Sequence, residues 1–322
     1  MMQPVIVSLV AGAAAALLFA SVASGSLFSV VLFYLAPLPI MMAAIGWTHL
    51  AGLFAAIFAG ALLGVLLGGF FFLAFLIGVG IPAWWLGYLT LMARPGEESA
   101  SLDWYPVGSI VVWAAIVGAG SVILAVPTFG LDAESFRAGL GGAFERIIRL
   151  QTQTPSGTPL QVPGLSDSQR LIDFLVLAIP PTAAVLATGT NLVNLWLAAR
   201  IVNISGRLRR PWPRLPAMTF PAYAPIILAV SIGASFLPDL VGIVAGISAA
   251  SMLMAYAILG LAVLHTITTG LRGRIFILGG TYGSIAVLGW PILIMTLLGL
   301  ADTIINLRGR LAKKSGPPAT HV

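Results

Sequence analysis

Residues 50–68 read LAGLFAAIFAGALLGVLLG, with no charged side chain in the run. At 1.5 Å of rise per residue, a helix of this length crosses the roughly 30 Å hydrocarbon core of a bilayer. Backbone amides in hydrocarbon must be hydrogen-bonded within the chain, so an isolated apolar run of this kind forms a helix. The run also carries Gly52, Ala56, Gly60, Gly64 and Gly68 at four-residue spacing, which aligns small residues along one helix face. A neighbouring backbone can approach that face closely, and such packing holds helices together where lipid supplies no hydrophobic drive. Ser8, Gly12, Ala16 and Ala20 repeat the pattern, as do Gly242, Gly246 and Ala250. Two uses fit these faces: packing within one bundle, and a seam between copies.

Runs of similar length flank this one on both sides. Residues 5–24 and 27–45 precede it, and 70–92 and 107–129 follow. The first run lacks a basic leading region and passes directly into further apolar spans, so it reads as a retained membrane helix rather than a signal peptide. Segment 93–106, with Arg94, Glu97, Glu98 and Asp103, is the charged interruption. Its LDWYP end places Trp104 and Tyr105 in the aromatic belt of an interface.

The whole composition agrees. Hydrophobic residues make up 59% of the chain and charged ones 8%, against about 25% charged in an ordinary soluble domain. Ten acids and 16 bases cannot clothe 322 residues in a water-facing surface, which excludes a soluble protein. The net charge of +6 sits in short clusters between apolar runs. That is the distribution of membrane topology, not of a nucleic-acid surface. Cysteine is absent, so disulfides, thiolate nucleophiles and Cys-ligated metals are excluded together.

Between 131 and 170 the chain changes character, with four acids and four arginines followed by a Thr-, Pro-, Gly-, Ser- and Gln-rich stretch. Phe136, Leu140, Phe144 and Ile148 recur there at four-residue intervals, opposite Arg137, Glu145 and Arg149. This pattern predicts a short amphipathic helix, either lying on the membrane surface or solvated and packed on the loop ends. A sixth span over 171–201 ends in Arg200, Arg207, Arg209, Arg210 and Arg214, the densest basic cluster, which is expected on the cytoplasmic side. The 131–170 loop then lies outside, in the periplasm, and the amino terminus inside. Apolar blocks over 220–237, 240–269 and 275–305 follow, and the tail carries Arg308, Arg310, Lys313 and Lys314.

The expected fold class is therefore all-α, a polytopic transmembrane helical bundle of about 8 to 10 spans. It divides into an N-terminal five-helix membrane half (1–130), an extramembrane loop (131–170), a C-terminal membrane half (171–307) and a basic cytoplasmic tail (308–322). If both basic clusters are cytoplasmic, an even number of crossings separates them, yet three apolar blocks are visible. Either the last block, broken by GWP at 289–291, is a hairpin of two short arms, or the block near Phe220 is re-entrant behind Pro216, Pro221 and Pro225.

Ionisable residues deep in a bilayer mark pathways or catalytic centres. Here Asp173, Asp239, Asp302, His49 and His265 all fall near predicted interfaces, where capping or pairing explains them, and His321 lies in the tail. The sixth span is richer. Pro180 and Pro181 interrupt its hydrogen-bond ladder, and Thr188, Asn191 and Asn194 follow at three-residue spacing on one face. Two readings stand: a small polar ligand site at the kink, and helix-to-helix hydrogen bonding. No phosphate-cradling Lys motif, no metal-spaced His and acid cluster and no G-x-S-x-G elbow occur. An enzyme is disfavoured, and neither a metal nor a cofactor is expected.

YLAPLPIMMAAIGW (34–47), GIPAWWLGYLTLMAR (80–94), WYPVG (104–108), NLVNLWLAARIV (191–202), RLPAMTFP (214–221) and LLGLADTIINLRGR (297–310) together resemble the DUF2232 family of YybS-like bacterial membrane proteins, in its alphaproteobacterial type. The most specific piece, a Gly-x-x-Asp segment followed by Arg, maps to Gly299, Asp302 and Arg308. The resemblance implies a multi-pass protein of the bacterial inner membrane and carries no established activity. The family is similar in layout to the substrate-binding S components of energy-coupling-factor transporters and to the rod-shape membrane protein MreD. Two functions are therefore expected in competition. One is binding or moving a small molecule, centred on Thr188, Asn191 and Asn194. The other is a non-transporting scaffold that meets membrane-protein partners through its small-residue faces.

Overall fold

The computed structural model describes residues 2–96, 102–155, 158, 160, 167–213 and 217–314; Glu97, Glu98, Arg214, Pro216 and His321 lie outside them. The chain is an all-α polytopic bundle. Among the described residues seven helical stretches are long and apolar enough to cross a membrane: Gln3–Ser24, Leu27–Gly46, His49–Leu67, Gly69–Leu91, Val107–Thr128, Ser168–Ile204 and Asp239–Ile267. Among the described residues the only strands are Ala93–Pro95 and Leu102–Trp104, an antiparallel pair with Arg94 opposite Asp103.

The first crossing is α1 (Met2–Ala20) with a tight turn at Ser21–Ser24. The second is divided into α2 (Leu27–Tyr34) and α3 (Pro37–Gly46), because Pro37 has no N–H to continue the ladder. α4 (His49–Leu67) starts on the Thr48 hydroxyl, which accepts from the Ala51 N–H at 3.2 Å. The fourth crossing joins α5 (Gly69–Phe75) to α6 (Ile81–Leu91) through a wider helical turn at Leu76–Gly80. Then come α7 (Val107–Ile123), α8 (Ala133–Thr152) and α9 (Ser168–Ile204).

The predicted amphipathic helix is α8, longer than its apolar spacing alone indicated. It docks Phe136 and Leu140 against Ala119 of α7, Ala184 of α9 and Ile247 further on, so it packs on the bundle end. α9 runs through Pro180 and Pro181 without interruption. The prolines withdraw two ladder donors, and the helix continues because its neighbours hold it.

The small-residue face of α4 is used inside the bundle. A Cβ on Gly52 would stand 2.6 Å from that of Ala44 in α3, and one on Gly64 would stand 3.0 Å from Phe72. A Cβ on Gly60 would likewise meet Phe72 at 3.2 Å, and buried Ala56 faces Gly80. Gly68 serves differently. Its φ of 107° turns the chain from α4 into α5, a conformation that an L side chain resists. In the first crossing a Cβ on Gly12 would lie 2.6 Å from the Ala55 carbonyl, so α1 and α4 touch backbone to backbone.

After α9 come α10 (Ala224–Ala234), α11 (Asp239–Ile267), α12 (Arg274–Leu288), α13 (Ile292–Ile305) and α14 (Leu307–Lys314). Their contacts fix their directions. Thr188 of α9 meets Ser251 of α11 at 2.6 Å and Gly189 faces Met254, so the two helices run parallel and end on the same side. α13 is parallel to α11 as well: Thr296 donates to the Leu253 carbonyl at 3.3 Å, and Gly299 packs on the Tyr256 carbonyl. α12 starts where α11 ends and turns back along it, with Tyr282 beside His265.

α12 and α13 are thus the arms of a re-entrant hairpin whose tip is Gly289, Trp290 and Pro291. With 15 and 14 residues, or roughly 22 and 21 Å, neither arm spans the core. α10, with 11 residues, is also short. Its crossing is completed by the non-helical stretch 217–223, whose Thr219 carbonyl lies on Gly108 and whose Phe220 ring meets Tyr256 at 5.1 Å. An even number of crossings therefore separates the basic cluster from the tail. Of the two alternatives read from sequence, the hairpin exists at 274–305, whereas the block near Phe220 is not re-entrant, since over 217–234 it leads from the end of α9 to the opposite side, where α11 starts.

Candidate functional site

The polar face of α9 comes first. Thr188 is fully buried; its hydroxyl donates to Ala184 at 2.8 Å and meets Ser251, which donates to the Ala115 carbonyl at 2.7 Å. The chain of bonds links α9, α11 and α7, and Gly118 leaves the space for Thr188 to sit against α7. The Asn194 amide donates to Thr190 and to the Tyr34 carbonyl, each at 2.8 Å. Tyr34 ends α2, so the carbonyl that the Pro37 break removes from the ladder is recovered from another helix. Asn191 is buried between these two levels. Thr188 and Asn194 thus bind helices to one another, and none of the three lines either of the two large cavities.

The family-motif residues also meet neighbours. A Cβ on Gly299 would collide with the Tyr256 carbonyl and one on Gly260 with Met295, so α11 and α13 touch at backbone distance. Asp302 pairs with Arg308 at 2.7 Å. His265 Nε2 lies 3.0 Å from the Tyr282 hydroxyl, and the His49 ring packs on Tyr88.

The larger surprise lies in the basic cluster. Arg207 sits over the Trp47 ring at 4.6 Å, Arg209 donates to the Trp47 carbonyl at 3.3 Å, and Arg200 lies over Trp212 at 5.6 Å. Arg210 is different. It is 8% exposed, its Nη1 is fully buried, and among the described residues it has no hydrogen-bond or ion-pair partner. Burial lowers its pKa from the usual guanidinium value, though a guanidinium stays charged at neutral pH.

Arg210 forms part of the wall of a cavity of about 650 Å³. The rest of the wall is largely apolar: Val107 and Ile110 of α7, Leu192 and Trp196 of α9, and Ile258 and Leu261 of α11. His265 and Tyr282 also line it. Spacing alone places Arg210 in a topogenic cluster and does not reveal that it is buried while its described neighbours lie at the surface. A second cavity of about 800 Å³ opens at the opposite end between α8, α9 and α11, where Arg137, Glu145, Asp173 and Asp239 face it. Glu145 is already paired with Arg149 at 2.6 Å. Among the described residues no three His, Asp or Glu side chains gather as metal ligands would.

These features define a class: a multi-pass helical membrane protein with a largely apolar cavity, lined in part by Arg210, on its basic face. The chain belongs to the DUF2232 family, described as a predicted membrane protein, whose match covers residues 13–303. No curated protein and no solved structure matches it.

Proposed function

We propose that this protein is a non-enzymatic, multi-pass protein of the bacterial inner membrane that binds a small acidic amphiphile in the cavity at Arg210. The observation that carries this reading is Arg210, buried in the wall of a largely apolar cavity with its Nη1 unpartnered among the described residues. A guanidinium drawn out of water without a counter-charge is costly, and a ligand anion in charge-assisted contact offsets part of that cost. An apolar body on the same ligand would fill the remaining wall. Binding of this kind is what a transport-associated substrate-binding component requires, and it needs no catalytic group. The scaffold alternative loses support, since its small-residue faces on α1 and α4 are already occupied by neighbouring helices.

The test is thermal unfolding of the detergent-purified protein with alkyl carboxylates and alkyl phosphates. Acidic amphiphiles should raise Tm, Arg210→Gln should abolish the rise, and Arg210→Lys should keep part of it. Equal shifts in wild type and Arg210→Gln, or no shift from any acidic amphiphile, would discard the proposal.

A further inference from the structure

The cavity at Arg210 has a side opening as well as a polar end. Val193 and Trp196 on α9 and Tyr282 on α12 all line it, yet they are 56%, 50% and 45% exposed. Trp196 lies two helical turns before the end of α9 at Ile204, or about 12 Å below it. Exposed apolar side chains on a membrane-spanning helix fit acyl chains better than water, so the slot faces sideways into the bilayer. The water side is crowded by the stacked pairs Arg200 with Trp212 and Arg207 with Trp47.

The wall formed by α12 is the more lightly packed one. None of its residues is buried, and a polar contact from Tyr282 to His265 ties it to α11. A ligand with an acidic head at Arg210 and a tail along Leu192, Val193 and Ile258 would leave the rest of its chains in the bilayer through this gap.

Resting on the binding proposal above, we infer that the occupant is a phosphate-bearing acidic lipid, loaded laterally from the leaflet on the basic side between α9 and α12. The head is recognised by charge-assisted hydrogen bonds from Arg210, and the tail by apolar contact. The same acidic chemistry could come from the water phase as a free phosphate or a soluble alkyl phosphate, so the test separates these sources.

The full-length protein is reconstituted in phosphatidylcholine vesicles doped with phosphatidylglycerol whose acyl chains are brominated, and tryptophan quenching is followed. Brominated phosphatidylcholine, inorganic phosphate and a short soluble alkyl phosphate are the comparisons. Phosphatidylglycerol should quench more than phosphatidylcholine at equal bromine content, and Trp196→Phe should remove that excess. Arg210→Gln should weaken half-saturation by at least roughly tenfold, while Arg210→Lys retains selectivity and shows that the fold survives change at this position. If the soluble alkyl phosphate stabilises the protein through Arg210 but brominated phosphatidylglycerol gives no excess quenching, lateral lipid loading is overturned and the binding proposal stands. If no anion acts through Arg210, both fall.

Discussion

The Asp302 carboxylate receives Arg308 from two directions: Oδ2 accepts from Nε at 3.0 Å and Nη2 at 2.7 Å, while Oδ1 accepts from the Arg308 backbone N–H at 3.0 Å. Between them Asn306 adopts the left-handed conformation that ends α13. Nη2 of Arg308 also donates to the Met218 carbonyl at 2.9 Å. One guanidinium thus fastens the end of the re-entrant hairpin to the non-helical stretch that completes the α10 crossing.

Both side chains of this pair are largely buried. Arg308→Ala should therefore cost about 3–5 kcal/mol, because it leaves a buried carboxylate without its cation. Removing both charges together, as Asp302→Ala with Arg308→Ala, should cost less than the sum of the two single changes. Unfolding in mixed micelles measures each. Strictly additive losses would show that the two side chains do not depend on one another.

The contact between α11 and α13 predicts a second asymmetry. Gly260→Ala and Gly299→Ala push a methyl group into a facing backbone and should destabilise by about 1–3 kcal/mol. Gly246→Ala and Gly280→Ala add a methyl group where nothing lies within 4 Å and should be neutral or slightly stabilising. Thermal unfolding of the four variants checks the contrast, and equal losses at all four would refute the close approach of the two helices.

Sequence carries the membrane class and most of the helical spans, because length and apolar content are local properties of a run. It also raised the right question about the C-terminal blocks, through the count of basic clusters. What it could not resolve was the path of those blocks, since the hairpin and the short α10 crossing are defined by contacts between distant segments, such as Thr296 with Leu253 and Thr219 with Gly108. The polar face at Thr188, Asn191 and Asn194 was visible, but its use was not: Thr188 and Asn194 find partners on α11 and α2, far away in the chain. Arg210 stood in plain view among other arginines, and only tertiary burial sets it apart.

The N-terminus of α8 makes a pH prediction. Asp132 accepts from the Ser135 N–H at 2.8 Å and from its hydroxyl at 2.7 Å, and these bonds, led by the backbone one, hold its carboxyl below the usual 3.8. A carboxylate with a lowered folded pKa contributes stability that is present above its unfolded value and lost as pH falls through the folded one. Below about pH 4 the first turn of α8 should therefore fray. Hydrogen exchange at Ser135 and Phe136, corrected for intrinsic rates, should rise there in wild type, and Asp132→Asn should remove the pH dependence while keeping an acceptor. An unchanged exchange profile in wild type would exclude this role.

The re-entrant hairpin makes the most discriminating claim about topology, and a chain without cysteine is suited to testing it by single-cysteine labelling. Because α9, α11 and α13 all end on one side, Ser205→Cys, Thr269→Cys and Arg310→Cys should react with an impermeant maleimide from the same face of oriented vesicles. Leu150→Cys in α8 and Phe236→Cys in the turn before α11 should react from the other face, where both residues are exposed. Trp290→Cys at the hairpin tip should be shielded from both, since roughly 20 Å of helix carries it into the core without crossing. If Thr269→Cys and Arg310→Cys label from opposite faces, the hairpin is a full crossing, the two basic clusters lie apart, and the side wall of the Arg210 cavity must be drawn differently.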